Sequence, residues 1–250
     1  MKIAGIFNKK KRTRNADKLK LDKLHLIDLV CQNYHVKSLA DLGGIWGVNG
    51  GYTFYALKKH GIKRAFLVDT DVTEEVYMKA KRFPALTIIN ENFGMKDVAR
   101  RIGKVDAIIL FDVLLHQVDP DWDTVLEMYA PFTDIFIIYN QQFIGSDKTV
   151  RLFDLGYEGF FQNVPRAKDD PLYKEVFEKM YEMHPQHNRI WRDIHNIWQW
   201  GIVDDCLFAK MKELGFRLQY YRNFGQFYHL HNFENHAFVF KKTEGHYREL

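Results

Sequence analysis

The stretch LADLGGIWGVNGGYTFYALKKHGIKRAFLVDTD, residues 39–71, decides how this chain is read. It runs from a short apolar segment into a loop holding Gly43, Gly44, Gly47, Gly50 and Gly51, continues as a helical pattern, and enters a second apolar segment ending on Asp69. Strand, glycine turn, helix and parallel strand form one unit of an α/β sheet, and such sheets bind ligands beyond the carboxyl ends of their strands. Glycine serves that turn because the backbone bends sharply and approaches a ligand with no Cβ in the way. Asp69, closing the second strand, stands where a carboxylate accepts the protons of both ribose hydroxyls.

Upstream, Leu21, Leu24, Ile27 and Leu29 recur near the helical period, which predicts a helix at 16–33 in an N-terminal segment (1–35) and a first strand at 36–42. The helix after the glycine loop covers 52–60 and closes on Gly61. Further strands are predicted at 65–68, 86–89, 106–111 and 135–139, separated by helices at 72–82, 96–101 and 121–129. DAIILF at 106–111 is continuously apolar, as expected of a strand covered on both faces. Five strand-helix alternations predict a doubly wound, mostly parallel α/β sheet in one domain, 1–250. The alternation lapses at 143–203, an aromatic-rich insertion read as a lid over an acceptor. A helix at 204–214 and apolar runs at 216–221 and 237–240 then predict an antiparallel C-terminal edge.

Composition narrows the function classes. The 250 residues are 46% hydrophobic and 27% charged, which allows one packed α/β domain and gives no sign of disorder. The net charge of +4 comes largely from Lys9, Lys10, Lys11, Arg12 and Arg14, a run read as solvated rather than as a nucleic-acid footprint. Cys31 and Cys206 are far apart and have neither disulfide nor zinc spacing, which favours a reducing compartment. With no signal-like apolar region and no membrane span, the expectation is a cytoplasmic protein. The 20 Phe, 13 Tyr and 5 Trp fall largely after residue 130, where they predict an aromatic-lined pocket or an aromatic interface such as that of a homodimer.

GGIWGVNGG lacks the G-x-G-x-x-G spacing that rests a pyrophosphate on a helix N-terminus, and no G-K-[ST] occurs, so the sequence carries neither the dinucleotide nor the P-loop fingerprint. S-adenosylmethionine asks only for a tight loop with an acidic group, Asp41, at its entry. LADLGGIWGVNG resembles motif I of the class I S-adenosylmethionine-dependent methyltransferases, commonly D-x-G-x-G-x-G: Asp41, Gly43 and Gly47 match, Gly44 lies between them, and Ile45 replaces the middle glycine. VDTD at 68–71 is similar to the ribose-holding motif, which maps to Asp69 with Thr70 beside it. INENFG at 89–94 falls where the family contacts adenine, pointing to Asn92, Glu91 and Phe93. VDAIILFDVLLHQV at 105–118 looks like the fourth motif, with Asp112 facing the methyl group and His116 one turn on. The resemblance covers about 36–142 and implies in-line transfer of a methyl group from the sulfonium to a nucleophile.

A hydroxyl acceptor needs a base, and His116, a side chain that titrates near neutrality, is the candidate. In HPQHNRIWRDIHNIWQWG, residues 184–201, Arg189, Arg192, His195 and Trp198 are candidates for acceptor binding or catalysis; the same stretch also reads as a helix burying Trp191, Ile194 and Trp198. Asn140, Gln141 and Gln142 close the fifth strand at the rim where acceptors bind. His229, His231 and His236 with Glu234 are read as structural, and no metal is expected. Tyr220, Tyr221 and Arg222 do not make a basic nucleic-acid face. The leading expectation is O-methylation of a small polar or anionic metabolite such as a sugar, sugar phosphate or surface-glycan precursor. The alternatives are an RNA or protein methyltransferase, a non-catalytic nucleoside-binding partner subunit, and an NAD-dependent oxidoreductase.

Overall fold

In the computed structural model of the chain, residues 19–166, 168, 170–186, 188–194 and 197–243 are described. The basic N-terminal run and His195 lie outside them. The elements follow in the order α1 (Leu21–Tyr34), β1 (Ser38–Leu42), α2 (Gly51–His60), β2 (Arg64–Val68), α3 (Glu74–Ala80), β3 (Leu86–Ile89), α4 (Lys96–Ile102), β4 (Val105–Phe111), α5 (Trp122–Tyr129) and β5 (Thr133–Phe143). After the insertion come α8 (Asp204–Glu213), β8 (Phe216–Phe227) and β9 (Leu230–Lys242); within it lie β6 (Val150–Arg151), α6 (Gly156–Gln162), α7 (Pro171–Glu178) and β7 (Trp200–Gly201). Seven strands form one sheet in the order β3-β2-β1-β4-β5-β9-β8, parallel through β5 and antiparallel at β9 and β8.

Strand alternation divides β4 between two cores. Ile108 and Leu110 pack on one face with α4, α5 and α8, while Ala107, Ile109 and Phe111 pack on the other with α1 and α2. This is why Ala107–Phe111 is apolar without interruption. β5 runs past the apolar 135–139 because β9 keeps pairing with it: Asn140 opposes His236 and Phe143 opposes Phe233. Its last polar residues are thereby drawn into the sheet. β8 and β9 likewise outlast their apolar runs; the 237–240 run of β9 is buried in the core, whereas the 216–221 run of the edge strand β8 is buried only at Phe216.

The insertion has its own aromatic core, in which Phe153, Phe160, Phe161, Tyr173 and Trp191 pack beneath Phe143 and Phe233 from the ends of β5 and β9. The expected helix through Trp191, Ile194 and Trp198 does not form. Only a 3-10 turn covers Trp191–Asp193, because the backbone of Trp191 and Arg192 donates to the carbonyls of Glu182 and Met180 (3.0 and 3.1 Å), and a bridge joins Met183 to Ile190. All three side chains are nonetheless buried.

Phe233 is fully buried and lies 5.0 Å edge-on from Trp198 and 5.1 Å from Phe143, measured between ring centroids. Phe233→Ala is expected to destabilise the chain by about 3–5 kcal/mol, measured by urea unfolding followed by circular dichroism. A cost below about 1 kcal/mol would show that the insertion does not depend on this joint.

Candidate functional site

The glycine loop begins where β1 ends. Gly43 donates to the Val68 carbonyl at the end of β2 (2.8 Å), and a short turn closes through Asn49 and Gly50, which donate to Ile45 and Gly44 (2.8 and 2.9 Å). Gly43 and Gly50 both have positive φ, and a Cβ on either would stand 2.5 Å from Val113 Cγ1 or 2.7 Å from Leu67 Cδ2. Ile45 is compatible with such a loop because its side chain turns away from it, into a small core with Phe54, Leu67 and Val76. Its amide donates to Asp69 Oδ2 (3.0 Å), fastening the loop to the end of β2. Trp46, at the tip, is 73% exposed. Around Gly47 the space that a Cβ would enter is open.

Asp41 lies beneath this loop, fully buried. Its Oδ2 accepts from Thr53 Oγ1 (2.6 Å) and would be met at 2.5 Å by a Cβ on Gly44. Burial pushes its pKa up to about 6 against the opposing Thr53 hydrogen bond, with the Asp69 charge adding to the rise. Asp69 is half-buried at the end of β2, and Thr70 beside it is exposed. Asn92 Oδ1 accepts from the Gly94 amide (2.8 Å), which turns the chain after β3, while Phe93 is buried against Gly43. Glu91 pairs with Arg101 (2.7 Å). Four strand ends therefore bring Asp41, Asp69, Asn92 and Asp112 to one rim of the sheet.

Asp112 follows β4 with φ +58, its amide donating to the Tyr139 carbonyl (2.7 Å). Oδ1 accepts from Gln141 Nε2 (2.8 Å), and Oδ2 is paired with Lys23 of α1, whose side chain is only 4% exposed. Burial works against the Asp112 charge, but Lys23 outweighs it and holds the carboxyl below its usual range. The Lys23 ammonium lies 4.8, 5.4 and 5.6 Å from the ring centroids of Tyr139, Phe111 and Tyr52. No sequence motif marked Lys23. Its only signal was a cation in a helical segment otherwise patterned for burial.

The turn after β4 is stitched to the end of the insertion. His116 Nδ1 donates to the Ile197 carbonyl (2.9 Å), Gln199 N donates to Leu115 O (3.1 Å), and Trp200 Nε1 donates to Gln117 O (2.6 Å). The buried Trp198 stands edge-on to His116, 6.2 Å between ring centroids. Burial lowers the His116 pKa against the Ile197 hydrogen bond, so the ring is neutral at pH 7 with its proton on Nδ1 and Nε2 unprotonated.

The remaining candidates stand elsewhere. Asn140 and Gln141 lie on opposite faces of β5. Gln141 reaches Asp112, whereas Asn140 is buried and donates to Gln142 Oε1 (2.9 Å). Arg192 pairs with Asp154 (3.3 Å), and Arg189 pairs with Asp119 (3.8 Å) and donates to the Asp193 carbonyl (3.2 Å). Arg192 is thus engaged within the insertion, whereas Arg189 reaches from it to Asp119 in the connection between β4 and α5. His229 and His231 are exposed, while His236 is buried between Asp204 and Glu234 (2.9 and 3.2 Å).

The raised pKa of Asp41 has a defined sign. Between its unfolded value near 3.8 and its folded value near 6, the unfolded chain gives up this proton first, so wild-type stability falls as pH rises through that window. Asp41→Asn removes the term. Relative to wild type, the variant is expected to gain about 2 kcal/mol between pH 4.5 and 7, read from urea unfolding at each pH. A difference independent of pH would contradict a carboxyl that resists ionisation.

No protein-family model matches the chain, and no curated protein is significantly similar to it in sequence. Solved structures are similar in fold. The N-terminal domain of EvdMO1, solved in the presence of S-adenosylhomocysteine and D-fucose, superposes with a TM-score of 0.58 at 12% identity, over 90% of this chain and 85% of that one. The 1,6-didemethyltoxoflavin-N1-methyltransferase of Burkholderia thailandensis, with its namesake ligand and S-adenosylhomocysteine bound, gives 0.56 at 13% identity over 89% and 79%. An O-methyltransferase family protein from the same organism gives 0.52 at 13% identity; the match covers 88% of this chain but spans only 56% of that longer one. Together with the strand order, these similarities show that the chain has the fold of the class I S-adenosylmethionine-dependent methyltransferases.

Proposed function

We propose that this chain is an S-adenosylmethionine-dependent methyltransferase that methylates a hydroxyl of a small polar molecule. The observation carrying the choice of a hydroxyl is His116, a neutral imidazole pinned through Nδ1 to the insertion, with Nε2 left as a base beside the end of β4.

The residues present suit the cofactor. The loop is open at Gly47, and Asp69 keeps lone pairs for ribose hydroxyls after accepting from Ile45. Asp112, with a side chain 35% exposed, offers a carboxylate to a cationic group. Asp69 would hold the ribose, the 43–50 loop the amino-acid end, and Asn92 and Phe93 the base. Bound there, the cofactor supplies an electrophilic methyl group on a sulfonium.

The chain supplies the rest. His116 Nε2 accepts the proton of the acceptor hydroxyl, and the Ile197 carbonyl steadies the imidazolium that results, because it accepts the Nδ1 proton in both states. Trp198 and the aromatic core behind it exclude water from one side of the acceptor. Arg189 and Arg192 already carry carboxylate partners in Asp119 and Asp154, which favours a neutral polar acceptor such as a sugar hydroxyl.

Calorimetry is expected to show binding of S-adenosylmethionine and S-adenosylhomocysteine, with Asp69→Ala weakening both; no binding of either at millimolar concentration would end the proposal. In a panel of hydroxylated acceptors read by S-adenosylhomocysteine release, His116→Asn is expected to lower kcat by about a hundredfold or more while leaving cofactor affinity unchanged. The wild-type rate should rise with pH through a pKa below 6.5, as His116 loses its second proton. Undiminished transfer by the variant would remove His116 as the base.

A further inference from the structure

A lysine buried in the first helix is costly unless something requires it. Two charges taken out of water seldom stabilise a fold more than apolar side chains of the same size. Lys23 is nonetheless enclosed by Tyr52, Phe111 and Tyr139, and pairs with the Asp112 carboxylate at the end of the central strand.

The geometry around that partner is over-determined. Asp112 is held at both oxygens, by Lys23 from α1 and by Gln141 from β5, and at its amide by the Tyr139 carbonyl. Gln141 is itself buried, and its amide also reaches Asn235 Oδ1 on β9 (3.3 Å). A carboxylate held in this way has no freedom left to turn, while about a third of its side chain still faces outward. Fixed charge of this kind is what a site needs to meet an opposite charge without reorganising.

We propose that Lys23 is a positioning residue that acts through Asp112: from α1 it fixes the strand-end carboxylate as the counter-charge for the cationic groups of the methyl donor. This rests on the cofactor reading above. It makes the N-terminal helix part of the cofactor site, although that helix contributes no residue to any of the glycine-loop or strand-end motifs. Without Lys23, the buried carboxyl would lose the partner that keeps it ionised, and protons would compete with the cationic cofactor for it.

The groups around the Lys23–Asp112 pair are Lys20 at the N-cap of α1, Asp41 from β1 on the Lys23 side, Tyr52 from α2, Tyr139 and Gln141 from β5, and His116 from the following turn. Asp41 also feels Lys23, so the proteins are compared in an Asp41→Asn background as well, where that contribution is absent; the other groups are common to all of them. The experiment is calorimetry of S-adenosylmethionine with wild type, Lys23→Met and Lys23→Arg from pH 5 to pH 8. On lowering the pH from 7 to 5, Lys23→Met is expected to lose about tenfold more affinity than wild type, and Lys23→Arg should follow wild type. Equal pH slopes for wild type and Lys23→Met would overturn the inference while leaving the cofactor reading intact; failure of wild type to bind would overturn both. Should Lys23→Met not fold, Asp112→Asn carries the test: at pH 7 it must lose at least about tenfold in affinity, and unchanged binding would refute the role given to the pair.

Discussion

β1 is hydrogen-bonded to β2 on one side and to β4 on the other, and the chain leaves these neighbours in opposite directions. Beyond its carboxyl end the connections diverge, to β2 on one side and from β4 on the other, the arrangement at which α/β sheets bind ligands. Every feature assigned to the site depends on that divergence. It is why Asp41, Asp69, Asn92 and Asp112, spread over 72 positions of sequence between 41 and 112, come to one rim. It is also why the loop there must be glycine-rich: it crosses from β1 to α2 in the space between Val113 and Leu67.

Two additions turn a generic crevice into a particular one. From one side α1 brings Lys23 under the end of β4, where its ammonium, among aromatic rings, holds Asp112 ionised and fixed in place. From the other, the end of the insertion lies along the turn after β4 and fixes the His116 ring through the Ile197 carbonyl. The two act on Asp112 and His116, four residues apart where the chain leaves β4, one setting a charge and the other a tautomer. The long β5–β9 pairing supports both, carrying Gln141 to Asp112 on one face of the sheet and Phe143 and Phe233 into the insertion core.

Local pattern was sufficient for the parallel half of the sheet. The apolar runs of β1, β2, β3 and β4 and the glycine stops at 61 and 103 coincide with elements of the structure, since each records burial or a backbone conformation at its own position. What the pattern could not convey is set by partners distant in sequence. The extension of β5 through Asn140–Gln142 depends on β9, and the non-helical path at Trp191 depends on the carbonyls of Glu182 and Met180. The ion pairs of Arg189 with Asp119 and of Arg192 with Asp154 join residues 70 and 38 positions apart, which local pattern does not record. Lys23 was silent because a lysine one turn into an amphipathic helix is ordinarily solvated, and only the docking of α1 buries it. Ile45 looked like a defect in the glycine motif, yet only its backbone faces the loop.

The central claim is that this rim of strand ends holds S-adenosylmethionine or its product. The most direct measurement is a crystal structure of the full chain grown with S-adenosylhomocysteine. The account predicts the ribose hydroxyls on the Asp69 carboxylate, the amino-acid end along the 43–50 loop, and the sulfur facing the space between Asp112 and His116. A ligand seated away from Asp69, or an empty rim at saturating concentration, would contradict it.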